Sequence, residues 1–114
     1  ALADELGESA RYVHLDVTDA EQWEAAVNVA VEAFGKVTAL VNNAAIVALG
    51  QIGKFDMAKW QQVIDVNLTG TFLGMQAVVE EMKKAGRASQ RRGRGGRLRS
   101  RPGSRAGLVR RCRS

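Results

Sequence analysis

The 114 residues include a single cysteine, a single histidine, a single tyrosine and a single proline. With Cys112 alone, an internal disulfide framework and a cysteine-based metal site are excluded. With His14 alone, no second imidazole exists to complete a metal site. His14 lies within a predicted strand and reads as a partly buried surface histidine rather than a catalytic one. No apolar run approaches transmembrane length and no secretory leader opens the sequence, so no membrane association and a cytoplasmic location are expected. Acid is missing from the last quarter, since all 12 acidic residues lie between Asp4 and Glu81. Residues 1–86 hold six basic residues against those twelve acids, a net charge of −6. Residues 87–114 hold eleven arginines and no acid, a net charge of +11.

The two parts differ in kind as well as in sign. Within the stretch Gln90-Arg91-Arg92-Gly93-Arg94-Gly95-Gly96-Arg97 there is no hydrophobic period, and Leu98, Leu108 and Val109 are too sparse for a core. Such a composition cannot offset chain entropy by burial, so residues 87–114 are expected to form a disordered Arg/Gly-rich tail. Arginine there can contact phosphates nonspecifically with strong salt dependence, which keeps a nucleic-acid-binding protein as the alternative reading. The tail lacks interleaved aromatics, so base stacking is not offered.

Residues 1–86 carry the periodic signals, and the chain is 46% hydrophobic overall, which suits a globular core. Ala1 to Gly7 reads as the end of a helix already under way, which predicts further chain upstream. Arg11 to Leu15 is a predicted strand. Thr18-Asp19-Ala20-Glu21 fits a capping box with Thr18 as the cap. Trp23, Val27, Ala30, Val31 and Phe34 then share one helical face, and Gly35 suits the helix end. Val37 to Val41 is a short apolar, β-branched run and reads as a buried strand that stops at Asn42-Asn43-Ala44-Ala45. That junction is either a plain strand-to-loop turn or the ligand crevice found at the carboxyl end of strands in α/β sheets. Val47 to Phe55 reads as a loop and Asp56 as the N-cap of the next helix. Trp60, Val63, Ile64, Leu68, Phe72, Met75 and Val79 recur at threes and fours, predicting a long helix bent near Asn67-Leu68-Thr69-Gly70. These residues are read as core or as a subunit contact. Lys83 and Lys84 complement the helix dipole and Gly86 stops the helix.

Three segments in register carry a resemblance: Asp16-Val17-Thr18, Asn42-Asn43-Ala44-Ala45 and Asp65-Val66-Asn67-Leu68-Thr69-Gly70. Together they resemble the short-chain dehydrogenase/reductase family, over about residues 1–86. The stretch Arg11 to Thr18 and the segment Val66 to Val79 look most like bacterial 3α(or 20β)-hydroxysteroid dehydrogenases within it. The resemblance implies an α/β fold, here an incomplete Rossmann-like, doubly wound parallel sheet read as strand, helix, strand and long helix. It implies an oxidoreductase using NAD or NADP on the CH–OH or ketone group of a hydroxysteroid or similar secondary alcohol. It also implies a homodimer or homotetramer formed through the long helix.

Site residues follow from the same resemblance. Asp16 would accept a bond from the adenine amino group with Val17 packed nearby, although Asp is also common at a strand end. Asn42 would hold the sheet, and Asn43, Ala44 and Ala45 would line the ribose side. Ala45 stands where the family has glycine, so its methyl weakens binding if that position needs a positive φ. Asn67 matches the catalytic asparagine, which shapes the helix bend and helps hold a water in the proton relay. Asn67 bonding its own turn is the plain alternative. The only glycine before Asp16 is Gly7, so no phosphate-binding turn is present. The family's serine and Tyr-x-x-x-Lys pair are also absent, since the one tyrosine is Tyr12. The sequence is therefore read as the middle of a dehydrogenase gene, entered late and left out of frame after about Arg87. By itself it is expected to be inactive and to hold the cofactor poorly. In the family's strand order, Arg11–Leu15 and Val37–Val41 correspond to the third and fourth strands, which are not neighbours. With the fifth strand also missing, they are expected to be unpaired or paired directly with each other.

Overall fold

The computed structural model describes residues 2–86 and the backbone of residues 90–92. Helix α1 (Leu2–Leu6) runs into a 3₁₀ turn over Gly7–Ser9, where Gly7 takes a φ of 57°. Helix α2 spans Ala20–Phe34 and strand β1 spans Leu40–Asn42. Helix α3 (Met57–Ile64), a π-helical turn (Asp65–Thr69) and helix α4 (Gly70–Lys84) form one continuous rod. Strand β2 (Gln90–Arg92) then lies parallel to β1, pairing Leu40 with Gln90, Val41 with Arg91 and Asn42 with Arg92. The result is a helix-rich α/β unit in which α4 packs on both α2 and β1.

Helix α2 forms where its periodicity places it, and Trp23, Ala26, Val27 and Ala30 are its buried face. Its cap differs from the sequence expectation. Asp19, not Thr18, caps the helix, accepting from the Glu21 and Gln22 backbone N–H groups. Thr18 instead turns its hydroxyl to Asp16. Gly35 closes the helix at φ 79°, donating its N–H to the Val31 carbonyl at 2.7 Å. Asp56 caps α3 as its position suggests, accepting from the Ala58 N–H at 2.9 Å.

Both predicted strands are revised. Arg11–Leu15 joins no ladder among the described residues, although the stretch keeps a strand's two-residue alternation of exposure. Leu15 and Val17 are buried, while His14, Asp16 and Thr18 face outward. Alternation is a property of the chain, whereas a ladder needs a neighbour that supplies N–H and C=O groups. The predicted strand Val37–Val41 shrinks and shifts to Leu40–Asn42, with Val37 buried just before it. The two segments do not pair with each other. β1 takes Gln90–Arg92 as its partner, at residues expected to belong to the irregular tail. Backbone pairing makes no demand on side-chain hydrophobicity, so composition does not reveal it. The rest of the expected tail, residues 87–89 and 93–114, lies outside the described residues.

The largest revision concerns the long helix. Its apolar stripe is split: Met75 packs against the core and Val63, Ile64 and Val79 are half-buried. Trp60, Leu68 and Phe72 are each more than half exposed. Gly70, Gly74, Val78 and Met82, at steps of four, face the interior instead. The core thus joins Leu15 and Val17, the α2 face, Val37 and Leu40, and Val78 and Met82. At the helix end, Glu80 pairs with Lys83 at 2.8 Å and Glu81 with Lys84 at 2.7 Å. The bond from Lys83, and then its charge, hold the Glu80 carboxyl below its usual 4.5, and the bond to Glu81 holds Lys84 above its usual 10.5. Whatever Glu80 adds is present above its ordinary value and lost as pH falls through the lowered one. Lys84's share is present below its ordinary value and lost as pH rises through the raised one. Pairs so exposed are screened by water and salt and contribute little.

Candidate functional site

The chain reverses between Leu15 and Ala20, and that reversal is tied tightly. The Asp19 N–H donates to the Asp16 carbonyl at 3.1 Å. Asp16 Oδ1 accepts two bonds from Thr18, from the backbone N–H at 2.9 Å and from the hydroxyl at 2.7 Å. This is the local turn chemistry that short carboxylate side chains favour. Trp23 Nε1 donates to the Val17 carbonyl at 3.0 Å and is buried there. Val17 is itself buried and packs on α4 at Gly70. A Cβ at Gly70 would stand 2.8 Å from Val17 Cγ2, so only glycine lets the helix backbone approach this closely.

That approach sets Asp16 across from the π-helical turn. An open pocket of about 430 Å³ lies between them, with Asp16 and Thr18 on one wall and Gln61, Asp65 and Val66 on the other. Gln61 Nε2 donates to Asp65 Oδ1 at 2.8 Å, four residues apart on the helix surface. The volume lies within the roughly 300–1,000 Å³ usual for small-molecule clefts.

Asn67 sits in the middle of the π turn and reaches the loop after β1. Its Oδ1 accepts from the Ile46 N–H at 2.9 Å, and its Nδ2 donates to the Ile46 carbonyl at 2.9 Å. Both halves of the amide are therefore used on one residue of that loop. The Thr71 hydroxyl donates to the Asn67 carbonyl at 2.9 Å. The π turn falls at the segment where the sequence predicts a bend, and single π turns interrupt helices frequently at functional sites.

The other proposed contacts follow β1. Asn43 and Ala45 are exposed and Ala44 is half-buried against the core. None of the three lines the Asp16 pocket. Asn67 binds the residue next to Ala45, so it couples this loop to the long helix. No described non-glycine residue has a positive φ, so Ala45 carries its methyl without backbone strain. The Asn42 backbone pairs with Arg92, but its buried Nδ2 has no hydrogen-bond partner among the described residues. No group of acids, histidine or cysteine among the described residues could hold a metal ion. No helix among them is long and apolar enough to cross a membrane.

Sequence reasoning assigns no site role to Gln22, Ile46, Gln61, Asp65, Gly70 and Gly74. The four-residue spacing of Gly70 and Gly74 on one helix is the available signal, since small residues so spaced share a face. Ile46 has no such signal, because only the fold brings it to Asn67.

Replacing Asn67 with alanine should remove both bonds to Ile46. At about 1 kcal/mol each, the expected loss in urea unfolding is about 1–2 kcal/mol. The Ile46 amide should exchange with solvent markedly faster, while the neighbouring β1 amides stay protected. Unchanged Ile46 exchange would contradict the clamp.

The family model for short chain dehydrogenases matches residues 1–94, and the chain belongs to that family. It is 57% identical over 89 residues to the 3-alpha-(or 20-beta)-hydroxysteroid dehydrogenase of Mycobacterium tuberculosis (strain ATCC 25618 / H37Rv), covering 78% of this chain and 34% of that protein. It is 53% identical over 77 residues to the trans-4-hydroxycyclohexanecarboxylate dehydrogenase of Sinomonas cyclohexanicum, covering 68% of this chain and 30% of that protein. Among solved structures, the ligand-free aldohexose dehydrogenase of Thermoplasma acidophilum aligns with a TM-score of 0.61 at 32% identity, covering 66% of this chain and 30% of that one. The chain thus spans about a third of the length of the relatives it matches.

Proposed function

We propose that these residues form the nucleotide side of an NAD- or NADP-dependent oxidoreductase acting on the CH–OH or ketone group of a hydroxysteroid or similar cyclic secondary alcohol. The observation that carries this reading is the Asp16 carboxylate, held by Thr18 at the rim of an open pocket with Asp65 and Val66 on its far wall. A carboxylate is a fitting acceptor for an exocyclic amine. Asp16 and Val17 would take the adenine, and Asn43, Ala44 and Ala45 would line the ribose. Asn67 would hold that loop through Ile46 and help hold a relay water. When bound, the dinucleotide would supply the hydride. Among the described residues only the adenosine end is fitted, since no glycine-rich turn there offers N–H groups to the pyrophosphate. In fold terms, β1 and β2 with their crossover helices would be a segment of a doubly wound parallel sheet, working in the cytoplasm.

The names of the relatives support the substrate class, and the exposed Trp60, Leu68 and Phe72 support pairing with a second copy along the long helix. The eleven arginines of residues 87–114 support a second, nonspecific reading as a phosphate-contacting segment.

Titration of the ¹⁵N-labelled chain with AMP tests the main reading. Shifts should cluster at Asp16–Thr18 and Asp65–Val66 and should vanish in Asp16→Ala. Shifts confined to the arginine-rich segment, or shifts that persist in Asp16→Ala, would contradict the assignment.

A further inference from the structure

We propose that Gln22 is a positioning residue that sets the Asp16 carboxylate to select a nucleobase bearing an exocyclic amine. The inference rests on the nucleotide reading above. Gln22 lies in the first turn of α2 and is half-buried. Its Oε1 accepts the Asp16 backbone N–H at 2.7 Å, and its Nε2 donates to Asp19 Oδ2 at 3.0 Å. Its own backbone N–H donates to Asp19 Oδ1 at 3.2 Å. Asp19 in turn donates its backbone N–H to the Asp16 carbonyl at 3.1 Å. The backbone on both sides of Asp16 is thus tied to the start of one helix, the N–H by Gln22 and the C=O by Asp19.

The neighbouring residue completes the anchor. Trp23 is buried and holds the Val17 carbonyl at 3.0 Å. Residues 22 and 23 of one helical turn therefore grip residues 16 and 17 of the incoming chain. Thr18 then holds Oδ1 of the Asp16 side chain with two donors. An exposed aspartate on a segment that joins no ladder among the described residues would otherwise sample several rotamers and backbone angles. Here the ordering is done before any ligand arrives, which is what makes a recognition group selective.

The glutamine is suited to this by having both an acceptor and a donor on one amide. A glutamate keeps the acceptor for the Asp16 N–H but exchanges the donor to Asp19 Oδ2 for a carboxylate oxygen, so it isolates the contact to Asp16. A methionine matches the length and loses both bonds.

AMP and IMP separate positioning from structure, because IMP replaces the exocyclic amine with an oxygen that Asp16 cannot accept from. Affinities of the full chain for each are measured by calorimetry, with circular dichroism as the folding check. The unaltered chain should prefer AMP by roughly tenfold, the discrimination expected of one charge-assisted hydrogen bond. In Gln22→Met the AMP affinity should fall until the preference is below about twofold, with IMP affinity unchanged. Gln22→Glu should retain a preference above about threefold. If Gln22→Met weakens AMP and IMP alike, or leaves the preference intact, the role assigned to Gln22 is wrong while Asp16 stands. If Gln22→Met does not fold, Gln22→Glu decides alone, and loss of the preference there overturns the proposal. If the unaltered chain binds neither nucleotide or does not distinguish them, the assignment of Asp16 itself falls, and the role of Gln22 with it.

Discussion

Gly74→Leu should abolish cooperative unfolding of the α2–α4 unit. Even a single Cβ at Gly74 would stand 2.7 Å from Trp23 Cζ2, 2.8 Å from Trp23 Cη2 and 3.0 Å from Asn42 Oδ1. Trp23 cannot swing aside cheaply, because it is buried and its Nε1 is bonded to the Val17 carbonyl. Gly74→Ala is the graded version. Alanine gains about 1 kcal/mol of helix propensity over glycine, while overpacking a fitted site costs about 1–3 kcal/mol. The clash outweighs the gain, so Gly74→Ala should lower the urea-unfolding free energy by up to about 2 kcal/mol. Leucine adds three further carbons in the same direction and has no such compensation. Gln76→Leu on the exposed side of α4 is the control and should stay within about 0.5 kcal/mol of the unaltered chain. A Gly74→Leu protein that unfolds like this control would mean that α4 does not lie on Trp23.

The 114-residue chain should produce no NADH above a protein-free blank when supplied with NAD and hydroxysteroids or simple secondary alcohols. Oxidising a secondary alcohol needs a group to take the hydroxyl proton as the hydride leaves. The only tyrosine, Tyr12, is 73% exposed on the segment before Asp16, and no glycine-rich turn precedes Asp16 to hold the pyrophosphate. Without those parts the reaction loses both its proton transfer and its positioning, and positioning alone is worth about 7–11 kcal/mol of barrier. The measurement is absorbance at the NADH band over hours at high protein concentration. Turnover above the blank that survives Asn67→Ala combined with Tyr12→Phe would show that the chemistry uses residues other than those assigned here.

Several features are legible in the chain's local pattern. Helix α2 is readable because a 15-residue amphipathic period and a terminal glycine are local properties of the chain. The Asp56 cap is readable for the same reason. The family, too, is legible in three short segments whose order and spacing no single residue could mimic. The alternation through Leu15 and Val17 is strand-like in the sequence and in the fold, but whether a strand exists depends on a neighbour.

Tertiary structure decided the rest, wherever two distant segments had to meet. Apolar periodicity did not show that the long helix would turn Gly70 and Gly74 inward and leave Trp60, Leu68 and Phe72 outside. Hydrophobic periodicity reports what a helix could bury, whereas a face without side chains is chosen when backbone must approach a neighbour closely. The sequence could not say that Gln90–Arg92 would supply the partner of β1, because ladder hydrogen bonds belong to the main chain and leave no trace in composition. Nor could it say that both halves of the Asn67 amide would be used on Ile46, 21 positions away in the chain. The sequence by itself determined the helices, most of their caps and the residue types of the site. Only the fold determined which of those residues face one another, because contacts between remote segments depend on the whole packing and not on any local period.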